Sequence, residues 1–413
     1  MMFIADFHIH SKYSRATSRD MDIEHLADWA RLKGIKLLGS GDFTHHLWLE
    51  ELKSHLESQN NGLFIYKDIN FILTTEISSI YSKKGKTYRV HNLIFAPSFK
   101  IVDQINQHLS SIGNLASDGR PILGLDAREL ARIVLDVSTD CLIVPGHIWT
   151  PWFSVFGSMS GFDRIEDCFE DQTKNIYALE TGLSSDPSMN WRLSALDRFS
   201  LISNSDSHSP SKIGREANVF DCELDYYQVM NVLKKKDKKR FLYTIEFFPE
   251  EGKYHYDGHR LCNVRFSPKE SREHKNRCPK CGKPLTIGVM NRVEQLADRD
   301  EGFVPENAIP FRNLIPLEEI IAAAKSLGKG TQAVEKEYFS IISKFGNEFE
   351  VLVNAPKEDL KKSINPRIAD GILRVREGRV KILPGFDGEY GSIKIFDIDD
   401  KKSDSGEKQM SFF

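Results

Sequence analysis

Asp6-Phe7-His8-Ile9-His10 sets two imidazoles at i and i+2, and Asp206-Ser207-His208 repeats the acid–imidazole spacing far along the chain. At a strand end, period-2 geometry points both side chains of such a pair the same way. Asp42, His45, Glu76, His91 and His147 each stand in or beside a short apolar run. Any one of these histidines alone is more simply a hydrogen-bonded core residue; their joint placement at strand ends is what carries the argument. His8, His10, Asp42, His45, Glu76, His91, His147, Asp206 and His208 make nine candidate ligands. One transition metal takes about four to six, so the set suits two or three divalent ions sharing bridging carboxylates, with Glu76 and Asp206 placed to bridge. Ions about 3.5–4 Å apart activate a shared water and stabilise a phosphoryl oxygen. The chemistry is phosphoester hydrolysis, with Asp206, Glu76 and His208 as catalytic residues and zinc, manganese or magnesium as the metal.

A second constellation lies further on. Cys278-Pro279-Lys280-Cys281-Gly282 has the form of a zinc-ribbon knuckle, in which the tight turn faces two thiolates toward one ion. His259-Arg260-Leu261-Cys262 offers a second knuckle with the same gap. One structural zinc on His259, Cys262, Cys278 and Cys281 is expected, with His255 or His274 as alternatives for the histidine. Cys141, Cys168 and Cys222 stand apart in apolar sequence and read as buried thiols.

The elements that must position these residues can be read from periodicity. Short apolar runs at 3–7, 35–39, 71–74, 90–96, 142–144, 176–180 and 199–203 alternate with helix-like segments such as Asp22 to Lys33, stopped by Gly34. Such alternation predicts parallel β/α units closing into a barrel, whose C-terminal strand ends carry the active site. Residues 1–245 are therefore expected to form the barrel and 246–295 a basic zinc module. Residues 296–396 are expected to be mainly helical with short strands around 372–396, and 397–413 a flexible tail.

The chain has 413 residues with 56 basic and 59 acidic side chains, a net charge of -3 that names no partner. Residues 230–300, however, hold 17 Lys/Arg against 10 Asp/Glu, a local excess of seven. That patch, which begins with the run Lys234 to Arg240, is the electrostatic footprint of a phosphate backbone. No apolar run approaches the ~18–20 residues of a membrane span, and the N-terminus shows no signal peptide, so a cytoplasmic protein is expected.

The motifs Asp6-x-His8-x-His10, Glu76, His91, His147 and Asp206-x-His208 resemble the polymerase-and-histidinol-phosphatase (PHP) superfamily, a distorted (β/α)7 barrel with a trinuclear site. The resemblance implies one ion on His8, His10, Glu76 and Asp206 and another on Glu76, His91 and His147. It departs at the middle ion: no histidine follows the His8–His10 pair closely, and the usual Asp-His pair is altered to Asp42-Phe43-Thr44-His45. Asp42, His45 and His208 are the candidates there. Barrel, finger and helical C-terminal part together resemble the endonuclease Q family over nearly the whole length, on Tyr13-Ser14-Arg15-Ala16, Pro145 to Phe153, Leu179 to Pro187 and the finger. That resemblance implies a DNA repair endonuclease cutting 5′ to hypoxanthine, uracil, xanthine and abasic sites.

A barrel mouth cannot read a base inside a duplex, so the lesion must be flipped out. Ser184 and Asn204 are candidate donors to its carbonyl, Trp149 and Trp152 candidate stacking surfaces, and Arg15 and Arg215 candidate phosphate contacts. Gln409-Met410-Ser411-Phe412-Phe413 resembles a bacterial sliding-clamp peptide, which implies clamp docking through Gln409, Met410, Phe412 and Phe413. A monomer is expected. Two rival functions are a phosphatase for small phosphate esters and a non-catalytic DNA- or clamp-binding scaffold; neither accounts for ligands, finger and tail together.

Overall fold

A computed structural model describes residues 1–396. The barrel is built on β1 (Met2–Asp6), β2 (Leu37–Gly39), β3 (Ile69–Lys83), β4 (Lys86–Ala96), β5 (Leu142–Pro145), β6 (Ala178–Glu180), β7 (Ser200–Ile202), β8 (Ala217–Asp221) and β9 (Phe241–Glu246). Ladders run in the order β9-β8-β1-β2-β3-β4-β5, with β6 and β7 a separate parallel pair. β1-β2 and β2-β3 are parallel, whereas β3-β4, β4-β5, β1-β8 and β8-β9 are antiparallel. That mixture is the distortion from a regular β/α barrel. The β6–β7 pair closes the gap through Ile148 N donating to Glu180 O (3.0 Å) on one side and Ser203 N donating to Asn218 Oδ1 (3.0 Å) on the other.

Alternation along the strands divides the core in two. Phe3, Ala5, Leu37, Ile72, Leu93, Phe95, Leu142, Val144, Ala178, Ile202 and Phe220 fill the interior. Their neighbours Leu38, Phe71, Leu73, Ile94, Ile143, Leu179 and Val219 face the surrounding helices. The helix Tyr226–Lys235 plugs the far end, with Tyr226, Val229 and Leu233 joining the interior cluster. The interior is therefore solid, and polar chemistry is confined to the mouth.

Around the barrel, the helix Ile23–Lys33 is capped by the Asp22 carboxylate at its start and by left-handed Gly34 at its end, as its sequence predicts. After the finger, Phe311–Asn313 pairs in parallel with β9 and so returns to the barrel sheet, a strand that the helical expectation for residues 296–396 did not include. Helices Leu317–Lys325, Gln332–Phe345, Lys357–Ser363 and Pro366–Arg376 follow. The last corrects the expected strand start at Ile372, because Ile368, Ile372 and Val375 bury one helical face. A hairpin of Lys381–Leu383 and Ser392–Lys394 ends the described chain. Its loop folds onto the finger side, Tyr256 N donating to Gly385 O (2.9 Å) and Arg260 N to Asp387 Oδ2 (2.7 Å). No helix among the described residues is long and apolar enough to cross a membrane. The tail residues Gln409, Met410, Phe412 and Phe413 lie outside the described residues.

Candidate metal centre at the barrel mouth

Two ligand clusters meet at Glu76. Near its middle, the long strand β3 presents Glu76 opposite Leu93 of β4, while His91 stands opposite Ser78. Glu76 and His91 are thus diagonal neighbours on one face, and Glu76 Oε1 lies 2.6 Å from His91 Nδ1. His147, just past β5, brings Nε2 to 3.1 Å from the same oxygen. The other oxygen, Oε2, faces His8 Nε2 at 3.5 Å and His10 Nε2 at 3.3 Å. Asp206 Oδ1 completes that side, 3.6 Å from His8 Nε2 and 3.0 Å from His10 Nε2. His10 N donates to Ser207 O (3.0 Å), which fastens the two motifs side by side.

The arrangement fits a metal. Ligand atoms about 2.1 Å from one tetrahedral ion lie roughly 3.4 Å apart, and the spacings around Asp206 and Glu76 bracket that value. His8 Nε2, His10 Nε2 and Asp206 Oδ1 are buried without any hydrogen bond, a costly state that a cation at their centre relieves. The tautomers agree. His8 Nδ1 is engaged by Glu180 Oε1 (3.0 Å) and His10 Nδ1 by Asp42 Oδ1 (3.0 Å), so each ring holds its proton there and turns a lone pair inward. Burial works to raise the Glu76 carboxyl, but the imidazoles of His91 and His8 when protonated, and the permanent charge of Arg120, hold it well below its ordinary value. Burial drives His91 down to about 4 against the pull of Glu76, which keeps it a neutral ligand. Asp42, His147 and Asp206 take left-handed backbone angles, φ 47°, 28° and 46°, an uncommon state for non-glycine residues and one concentrated at functional sites.

Not every expected residue joins these clusters. Asp42 Oδ2 accepts from Ser11 N (2.6 Å), Ser11 Oγ (2.7 Å) and Ser14 Oγ (2.9 Å). With Oδ1 on His10, Asp42 holds the His10 ring and lies outside both clusters. His45 precedes a helix with its ring stacked on Tyr13, centroids 4.6 Å apart, and joins neither cluster. His208 Nδ1 donates to Asp206 O (2.9 Å), leaving Nε2 as its free ring nitrogen at the mouth.

Of the expected substrate contacts, Asn204 is buried and fully engaged, donating to Glu180 and accepting from Phe7 N and Asn218; it cannot read a base. Trp149 is a core residue whose indole N–H donates to Asn190 (2.7 Å). Arg215 donates to the carbonyls of Ser205 and Asp206 and holds the ligand loop. Arg15 is exposed and paired with Asp118 (3.2 Å). Trp152 is 37% exposed, edge-on to Tyr254 of the finger segment, and Ser184 is half-buried on the loop after β6. Sequence reasoning missed Arg120 and Glu180. Glu180 carried a usable signal, a carboxylate ending an apolar strand as Glu76 does; Arg120, in an irregular loop, carried none.

The finger gathers His259, Cys262, Cys278 and Cys281, with ligand atoms within 4.8 Å of one another. Left-handed Gly282 (φ 73°) turns the knuckle, and Gly282 N donates to Cys278 O (2.8 Å). His274 stacks on Phe266 and His255 on Tyr256, and neither enters the cluster.

Fold and site together define the class: a mixed α/β barrel of the PHP type, followed by a zinc-finger module and a helical C-terminal region. A family model described as the MJ0043 C-terminal domain matches residues 316–379. An uncharacterised protein, MJ0043, of Methanocaldococcus jannaschii is 36% identical over 60% of this chain, which spans only 31% of that protein. The crystal structure of a lesion-specific endonuclease from Pyrococcus furiosus superposes with a TM-score of 0.86 at 31% identity, covering 98% of this chain and 99% of that one. A complex of endonuclease Q with a 27-mer duplex carrying an abasic lesion at its active site gives 0.84 at 31% identity, covering 96% and 97%. The chain belongs to the endonuclease Q family.

Proposed function

We propose that this chain is a DNA repair endonuclease that hydrolyses the phosphodiester on the 5′ side of deaminated bases and abasic sites. The observation that carries the reading is Glu76, one carboxylate shared by two histidine clusters, in a chain that matches a lesion-specific endonuclease over 98% of its length. His8, His10, Glu76 and Asp206 would hold one ion, and Glu76, His91 and His147 another. Bound ions supply an activated water and positive charge for the phosphoryl oxygens. Glu180 and Asp42 keep the imidazoles in the ligating tautomer, and His208 Nε2 is placed to accept a proton at the mouth. The lesion is read outside the helix. A cavity of about 540 Å³, lined by Asp186, Ser188, Arg192, His255 and Tyr256, lies beyond the loop that carries Ser184, and Trp152 stands exposed beside the finger as a stacking surface. One zinc on His259, Cys262, Cys278 and Cys281 folds the basic finger against the DNA backbone.

Labelled duplexes with a single hypoxanthine, uracil, xanthine or abasic site test the reading. Metal-dependent cuts 5′ to the lesion are expected, and Asp206→Asn should abolish them while keeping DNA affinity. Turnover of p-nitrophenyl phosphate with no nick in any duplex would replace the reading with a small-molecule phosphatase. We further propose that the monomer docks on a sliding clamp through Gln409, Met410, Phe412 and Phe413. Deleting residues 409–413 should abolish clamp binding and leave nicking of free duplex unchanged; unchanged clamp affinity would dispose of this part.

A further inference from the structure

The position expected for a middle ion, beside Asp42, is closed. Both Asp42 oxygens are engaged by Ser11, Ser14 and His10. A Cβ on Gly119 would stand 2.2 Å from Asp42 Oδ2 and 2.3 Å from Ser14 Oγ, so the loop of residues 117–121 runs directly against the carboxylate. Only glycine allows that approach. The loop is fastened on both sides of the glycine. Gly119 N donates to Tyr13 O (3.1 Å), Arg15 N to Asp118 Oδ1 (3.2 Å), and Ser78 N to Pro121 O (3.0 Å).

What this loop delivers is Arg120. Its Nη1 lies 3.0 Å from Glu76 Oε2, the oxygen that also faces His8 and His10. Its side chain is 28% exposed, against 1% for Glu76, so one edge of the guanidinium rests on the buried carboxylate and another opens to the mouth. Asp206 and His208, at 27% and 33%, are the other exposed members. A guanidinium carries five donors in a planar fork, and Glu76 takes one here. The fork matches two phosphate oxygens, a geometry that a lysine cannot reproduce. A fixed positive charge on Glu76 also repels a further divalent ion from the same oxygen.

We propose that Arg120 contacts the scissile phosphate and that its guanidinium, delivered by the loop that Gly119 lets close on Asp42, replaces a middle metal ion beside Glu76. The proposal rests on the nuclease reading given above, but its first arm is read without DNA. Native mass spectrometry of the full-length holoprotein should give three metal ions per chain, two in the barrel and one on the cysteine cluster; four would overturn it. In titrations with inorganic phosphate, Arg120→Ala should bind at least tenfold more weakly while keeping its metal content, and equal phosphate affinity would also overturn it. For lesion duplexes, Arg120→Ala should lower the single-turnover rate by about 10²–10³-fold, the usual cost of one preorganised donor. Added guanidinium ion should restore part of that loss and Arg120→Lys very little. A wild-type rate in Arg120→Ala refutes the proposal, whereas a wild-type enzyme that cuts no lesion refutes the nuclease reading and leaves the ion count and phosphate titration to decide on Arg120.

Discussion

Replacing Glu180 by glutamine changes one oxygen to an amide nitrogen and leaves the volume alone, yet its surroundings allow no harmless orientation. Glu180 Oε1 accepts from Asn204 Nδ2 (2.8 Å) and His8 Nδ1 (3.0 Å), and Oε2 accepts from His147 N (2.8 Å). Asn204 cannot turn over to help, because its own oxygen accepts from Phe7 N (2.9 Å) and Asn218 Nδ2 (3.0 Å). One orientation of the introduced amide therefore sets two donors against each other at His147, and the other does so at Asn204 and His8. A buried donor left unpaired costs about 1–3 kcal/mol. Loss of the charged partner of a ligand imidazole costs about 10–100-fold in metal affinity, or ~1.4–2.8 kcal/mol. Glu180→Gln should thus melt a few degrees lower and release its barrel metals at tenfold to a hundredfold lower chelator concentration, while the finger zinc is unmoved. A chelator titration that superimposes on the wild type, in a variant whose melt is also unchanged, would refute the orienting role.

Glu216 and Glu246 test the pH response. Burial lifts the Glu246 carboxyl to about 8, and burial with the neighbouring Glu246 charge lifts Glu216 well above its ordinary range. An acid raised on folding supports the fold fully below its unfolded value and loses that support as pH climbs through the folded one. Wild-type stability should fall between about pH 4.5 and 8, by on the order of a few kcal/mol, and Glu246→Gln, a mimic of the neutral acid, should flatten that fall. Melts at both ends of the window decide it; an equally steep decline in the variant counts against buried neutral carboxyls. In the finger, Cys278 is 1% exposed between Val264 and Leu285, so Cys278→Ser should lose one zinc per chain and most DNA affinity but keep the barrel metals. Full zinc retention by metal analysis would contradict the ligand set. Trp152→Ala should weaken lesion-duplex binding by roughly tenfold, in line with ~1–3 kcal/mol per stacked base, whereas Trp149→Phe, which takes the indole donor from Asn190 Oδ1, should cost stability and leave affinity alone. The reverse pattern in binding titrations would exchange the roles of the two tryptophans.

The sequence was most informative where ligand spacing is local or strand periodicity is strict. His8 and His10 share a strand end, and Glu76 and Asp206 close apolar or small-residue runs, so their convergence could be read before any coordinates. The interior strands obeyed the same rule: Phe3 and Ala5 point in and Ile4 points out because a strand alternates. Asp42 marks where such reading stops. A buried carboxylate near an imidazole serves equally as metal ligand or ring orienter, and only the hydroxyls of Ser11 and Ser14, fixed by tertiary folding, decide between them. Asn204 and Trp149 failed as substrate contacts for a related reason. Both lie beside ligand residues in sequence, but a small polar stretch next to a site can be its support as readily as its surface.

The backbone explains why that support is so dense. Asp42, His147 and Asp206 hold left-handed φ values, each costing on the order of 1–3 kcal/mol for a non-glycine residue. Such angles persist only where surrounding bonds over-determine them. Each residue has such bonds: Asp42 is held by Ser11, Ser14 and His10, His147 through its amide on Glu180, and the Asp206 loop by Arg215 and the bridge of Ile9 to Ser207. The strained turns reverse the chain sharply just past a strand end, where three ligand-bearing or ligand-orienting side chains must point back toward the barrel axis. Rigidity of the ligands is therefore fixed before any ion arrives. It follows that substitutions at Ser11 or Ser14, which hold Asp42 and belong to neither ligand cluster, should act on the same quantity as those at Glu180: the affinity of the barrel for its ions.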